Sequence, residues 1–202
     1  MFARQLSYIA SNNKPLLTRQ LFRSTAYFST KKMPTAMHIS DTMLDGLIEQ
    51  ANQELNASNL YLSLSLWFHD QELPGSATWC RTHSAEERDH ALRIFDHIIK
   101  RRAKGALIRD VNPKATFDFA SPAEAWKCAF ENEQENSRRI HRLMSMARKE
   151  EDWTSDYLLQ WFINEQLEEE SAVEDIYTNA VEVLKTNGLY RQYDEKIIHK
   201  EH

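Results

Sequence analysis

Glycine and proline are scarce, with four and five residues respectively in a chain of 202. So few breakers leave room for long uninterrupted helices and argue against a many-stranded sheet with its frequent turns. Strand patterns are missing too, since no stretch alternates apolar and β-branched residues with polar ones for long enough to compete with helical spacing. No long apolar run occurs, so neither a transmembrane helix nor a secretory signal is expected. The two cysteines, Cys80 and Cys128, provide neither a disulfide framework nor a zinc spacing. Acidic residues are absent from residues 1–40, which carry six Lys or Arg; the remainder holds 19 basic against 30 acidic side chains, a net of −11. That balance counts against nucleic acid and membrane partners and favours cations.

The composition, 42% hydrophobic and 27% charged, is that of a soluble globular protein with one sizeable core. Residues 1–40 are rich in Ser, Thr and Arg, and place Phe2, Leu6 and Ile9 at helical spacing beside Arg4. This is the composition of an organellar transit peptide, mitochondrial in style rather than plastid. A basic arm that stays attached is the alternative. Residues 41–202 form a single all-α domain.

The spacing predicts a first helix over 41–70, opened by Ser40 or Asp41, with Leu47, Ala51, Glu54, Ser58, Tyr61, Ser65 and Phe68 on its inner seam. A second is expected from a cap at Ser76 to about Lys104, with Cys80, His83, Glu87, His90, Ile94 and His97 inward. Gly105 to Ser121 is too long for an ordinary helix connection and suits a crossover along a bundle. Ser121-Pro122-Ala123-Glu124 then opens a third helix with cap, first-turn proline and capping-box glutamate in agreement. Its seam is Trp126, Phe130, Glu133, Ser137, Ile140, Met144 and Ala147. A fourth is predicted from about Thr154 to Lys185, with Leu158, Phe162, Glu165, Glu169, Ala172, Ile176 and Val183 inward. Asn187-Gly188 is a stop signal, and residues 189–199 are expected to form a short fifth helix.

Each seam is apolar except near its middle, where Glu54, Glu87, Glu133 and Glu169 stand. Midpoints coincide in a bundle, so these carboxylates converge in one layer with His90. Glu87-x-x-His90 has a counterpart in Gln166-x-x-Glu169, which implies a pseudo-twofold site. Burying several carboxylates uncompensated costs several kcal/mol each and adds mutual repulsion, so they share protons or surround a cation. An oxygen-rich set with one imidazole suits a dinuclear iron or manganese centre better than structural zinc. Tyr61, two turns after Glu54, either hydrogen-bonds a ligand or supplies an electron, or is a core tyrosine with a satisfied hydroxyl.

Gln53-Glu54 with Tyr61, Ser84-Ala85-Glu86-Glu87-Arg88-Asp89-His90, Glu133-Gln134 and Trp161-Phe162-Ile163-Asn164-Glu165-Gln166 together resemble the ferritin family over 41–199. The resemblance implies a four-helix bundle with a long crossover and a short fifth helix. It also implies a shell of twenty-four subunits that oxidises Fe²⁺ with O₂ at di-iron ferroxidase centres and stores ferric mineral. By carry-over Glu54, Glu87 and His90 hold one iron, Glu87 bridges to a second held by Glu133 and Glu169, and Gln166 hydrogen-bonds a water or oxidant. A third site in microbial relatives implies Glu86, Glu165 and Glu168, although His83 replaces a glutamate there. Arg88 stands where bacterioferritins carry a haem-ligating Met, so the resemblance implies no haem. Two other functions are weighed against this: a di-metal oxidase of an organic substrate without a cage, for which the seams supply no substrate pocket, and a purely structural cage subunit, against which the intact Glu54, Glu87, His90 and Glu133 argue.

Overall fold

A computed structural model describes residues 34–106, 108–109, 118–186 and 188–197. Residues 1–33 of the expected transit peptide, most of the long connection, and Asn187 lie outside the described residues. Five helices follow in chain order: α1 (Asp41–Asp70), α2 (Pro74–Lys100), α3 (Pro122–Glu150), α4 (Trp153–Leu184) and α5 (Leu189–Ile197). All-α architecture is thus as the sequence predicts, and among the described residues no helix is long and apolar enough to cross a membrane.

Local chemistry accounts for most boundaries. The Ser40 hydroxyl accepts the Met43 N–H at 3.0 Å and starts α1. The Ser121 hydroxyl accepts from Glu124 N, while Glu124 reaches back to accept the N–H of Ala120 at 2.9 Å, a capping box shifted by one residue. Glu151, in the left-handed region at φ 60°, ends α3, and Asp152 caps α4 by accepting the Ser155 N–H.

The start of α2 differs from expectation. Pro74, not the residue after Ser76, is the first helical position, and Leu73 offers no capping side chain. The cap comes instead from α5: the Asp194 carboxylate accepts the N–H groups of Gly75 at 2.7 Å and Ser76 at 2.8 Å, and the Ser76 hydroxyl at 2.5 Å. A Cβ at Gly75 would overlap the Asp194 carbonyl, so only glycine allows this approach. The helix also ends at Lys100, earlier than about Lys104.

Helix directions follow from the contacts. Gln50 and Tyr61 of α1 meet Asn136 and Glu133 of α3, while His83 and Arg101 of α2 meet Glu169 and Asp152 of α4, so both pairs run antiparallel. With α1 and α2 also antiparallel through the short Gln71–Leu73 link, α3 starts at the opposite end of the bundle from where α2 stops. The long connection is therefore a crossover.

The core divides in two. One apolar cluster gathers Tyr61, Phe68, Trp79, Trp126, Val173 and Ile176; the other gathers Leu47, Ile94, Ile140, Met144, Leu159 and Phe162. Burial of each large side chain contributes about 1.5–3 kcal/mol. The polar layer lies between them on every helix. On α4 the inner seam is Leu159, Phe162, Gln166, Glu169, Val173, Ile176 and Ala180. Leu158, Ala172 and Val183, expected inward, are only half-buried. Adjacent apolar pairs such as Leu158-Leu159 and Ala172-Val173 leave the seam ambiguous by one residue, or about 100° of helix, and packing selects the second member.

Candidate metal centre

Glu54, Glu87 and Glu133 are completely buried, and Glu169 nearly so at 3% exposure. Among the described residues, no Lys or Arg forms an ion pair with any of the four. Polar side chains support two of them from outside. Gln50 Nε2 donates to Glu54 Oε1 at 2.7 Å and to Asn136 Oδ1 at 2.5 Å, and Asn136 Nδ2 donates to Glu54 Oε2 and Gln166 Oε1, both at 3.0 Å. Gln166 Nε2 donates to Glu133 Oε2 at 3.1 Å, and the Tyr61 hydroxyl donates to Glu133 Oε1.

Glu87 has a different environment. Neither of its oxygens, nor Glu169 Oε2, accepts a protein hydrogen bond, apart from a proton that Glu87 can share with Glu54. Its nearest partners are imidazoles: His90 Nδ1 at 3.3 Å from Oε2, and His83 Nε2 at 3.9 Å from Oε1. His90 Nδ1 also faces Glu169 Oε1 at 3.5 Å.

The electrostatics follow from this crowding. Burial, only partly offset by hydrogen bonds from Gln50 and Asn136, pushes the Glu54 carboxyl up to about 7. Burial first, then the neighbouring carboxylates, push Glu87 and Glu169 well above the ordinary range. Tyr61 is raised for the same reasons, burial followed by Glu133, so its phenol stays protonated and donates. A cation removes the conflict, and three overlapping ligand sets have donor atoms within 4.8 Å of one another: Glu54–Glu87–His90, His83–Glu87–Glu133, and His90–Glu165–Glu169. Glu87 belongs to two of them, as a bridging carboxylate would.

The remaining sequence candidates lie at the rim. Glu165 is half-buried with Oε1 3.8 Å from His90 Nε2. Burial and then the neighbouring Glu168 raise its pKa. Glu168 itself is exposed. Glu86 directs Oε2 to His83 Nδ1 at 3.2 Å. Trp161 packs edge-on against His90, with the Arg93 guanidinium 3.7 Å over its ring. Sequence reasoning missed Gln50 and Asn136. Gln50 stands four residues before Glu54 and Asn136 three after Glu133, so helical spacing places both beside the carboxylates.

Residues 44–181 match the family profile described as a ferritin-like domain. The chain is similar to a bacterial non-heme ferritin of Bacteroides fragilis, 34% identical over 139 residues, which cover 68% of this chain and 86% of the relative. A bacterial non-heme ferritin of Staphylococcus aureus is 32% identical over 136 residues, 67% of this chain and 81% of its own. Among solved structures, an open pore ferritin from the hyperthermophilic archaeon Archaeoglobus fulgidus matches with a TM-score of 0.77 at 30% identity, covering 83% of this chain and 100% of that one.

Proposed function

The chain belongs to the ferritin-like family and is a non-haem ferritin, and on that premise we propose that it is a ferroxidase which stores iron in a hollow cage of twenty-four copies. Fe²⁺ and O₂ are its substrates. Two Fe²⁺ ions each give up one electron, and dioxygen, taking both electrons and two protons, leaves as hydrogen peroxide. The observation that carries this reading is Glu87, buried between two imidazoles and three carboxylates with no protein donor among the described residues beyond a proton it can share with Glu54. An uncompensated carboxylate there costs several kcal/mol, and a divalent ion bound to it reverses the sign.

Glu54, Glu87 and His90 bind the first Fe²⁺; Glu87 bridges to the second, held with Glu133 and Glu169. Gln166 and Tyr61 hold Glu133 from either side and orient it toward that ion. Glu165 and Glu168 carry iron outward from His90 and Glu169. Residues 1–40 direct the chain to mitochondria and are removed on import, a reading supported by their composition; a reporter fused behind them and found in the cytosol would reject it, and plastid import would redirect it.

Stopped-flow oxidation of added Fe²⁺ tests the chemistry. Glu87→Ala is expected to slow the initial rate by at least about 100-fold, the upper range seen when metal-ligand support is lost, and an unchanged rate would sink the site. Native mass of the same preparation tests the cage. A monomer or dimer would instead favour the oxidase of an organic substrate.

A further inference from the structure

His83 has no part in the ligand set just proposed, yet its imidazole is completely buried and turned toward the cluster. We propose that His83 Nε2 is the nitrogen ligand of the second metal, completing Glu87, Glu133 and Glu169, with Glu86 as the carboxylate that orients it. This rests on the two-metal reading of the centre.

Four observations carry it. His83 lies four residues before Glu87, as His90 lies three after, so one turn of α2 on each side presents an imidazole to the bridging carboxylate. The Nε2 atom stands 3.9 Å from an oxygen of both Glu87 and Glu169. That is too long for a hydrogen bond, but ligands about 2.0–2.2 Å from one ion stand roughly 3–4 Å apart. Glu133 supplies a further oxygen within the same 4.8 Å set.

On its far side Nδ1 meets Glu86 Oε2 at 3.2 Å. An imidazole that donates its Nδ1–H to a carboxylate as a hydrogen bond keeps Nε2 as the lone-pair nitrogen, which is the usual support of a metal-bound histidine. The ring is also clamped: it stacks on Trp79 at 4.7 Å with 20° between planes and meets Tyr61 edge-on at 4.3 Å. Packing therefore holds Nε2 on the cluster before any ion arrives. Each metal then has one imidazole, and Glu86 serves His83 rather than an outer iron site with Glu165 and Glu168.

Crystals of the full assembled chain soaked anaerobically in Fe²⁺ and measured at the iron edge test this directly. Two peaks are expected, the second within about 2.3 Å of His83 Nε2 and in reach of Glu87 and Glu133. In solution, anaerobic Fe²⁺ titration of His83→Gln and Glu86→Gln is expected to leave the first binding step intact and weaken the second by roughly 10–100-fold. A second peak beyond about 3 Å of Nε2, or an undiminished second step in His83→Gln, overturns the assignment while leaving the ferroxidase standing. The wild-type map decides the matter if the variants do not assemble. Absence of both peaks overturns the proposed function as well.

Discussion

Asn136 shows how much a single neutral side chain does in this centre. Its amide donates to Glu54 and Gln166 and accepts from Gln50, so one residue of α3 links Gln50 and Glu54 of α1 to Gln166 of α4. Replacing it with Ala leaves Glu54 Oε2 and Gln166 Oε1 without the Asn136 donor, and Gln50 Nε2 with Glu54 alone to accept from it. Asn136→Ala is expected to lower the stability of the metal-free protein by about 1–3 kcal/mol, read from urea unfolding. It should also weaken the first Fe²⁺ by about 10-fold, as loss of outer support does. No change in either measurement would mean that Glu54 is positioned by Gln50 alone. Asp156 is likewise fixed by its neighbours. Its carboxylate is held by Arg148 at 2.8 Å and by Gln160, and those hydrogen bonds, Arg148 first, keep its pKa low. Leu159 beside it is a core residue.

At the scale of the element, the short α5 matters more than its nine residues suggest. Asp194 is buried and satisfies the buried first-turn N–H groups of α2 that have no intrahelical acceptor, where a negative charge also complements the helix dipole. Trp126 donates to the Tyr190 hydroxyl at 3.1 Å and ties α5 to α3. Asp194→Ala removes three hydrogen bonds and is expected to cost about 2 kcal/mol or more. Amide exchange should rise in α5 and the first turn of α2, while the metal layer keeps its protection. Uniform loss of protection along α2 would show that the cap holds the whole helix. The opposite end of the bundle has its own clamp, with Arg101 donating to Asp152 and Ser155 at 2.7 Å each. Burial works against the Asp152 carboxylate, but the hydrogen bonds from Arg101 and Ser155 prevail and hold its pKa low.

For the whole molecule, the carboxylate layer couples stability to pH and to metal. Glu54 titrates near 7 in the folded chain against an ordinary 4.5, and Glu87 and Glu169 shift the same way. Between those values the folded metal-free state holds protons that the unfolded chain has lost, so its stability falls as pH rises from about 4.5 to about 7. Divalent ions bound at the proposed centre would displace those protons. Calorimetry with Zn²⁺ as a redox-silent probe should show more proton release at about pH 6 than at about pH 8, and equal release would argue against a protonated layer. Much of this design was legible in one dimension. Helix number, the α3 cap and the four mid-seam glutamates follow from periodicity, because a 3.6-residue repeat assigns each side chain a face and bundle helices of similar length align their centres. Three matters required the tertiary structure: Asp194 capping a helix more than a hundred residues earlier, the rotation of α4 that places Glu165 at the rim and Gln166 inside, and the approach of His83 on α2 to Glu169 on α4. Sequence spacing determines which residues share a helix face, but the direction of that face and the partner across the interface are chosen by packing between helices.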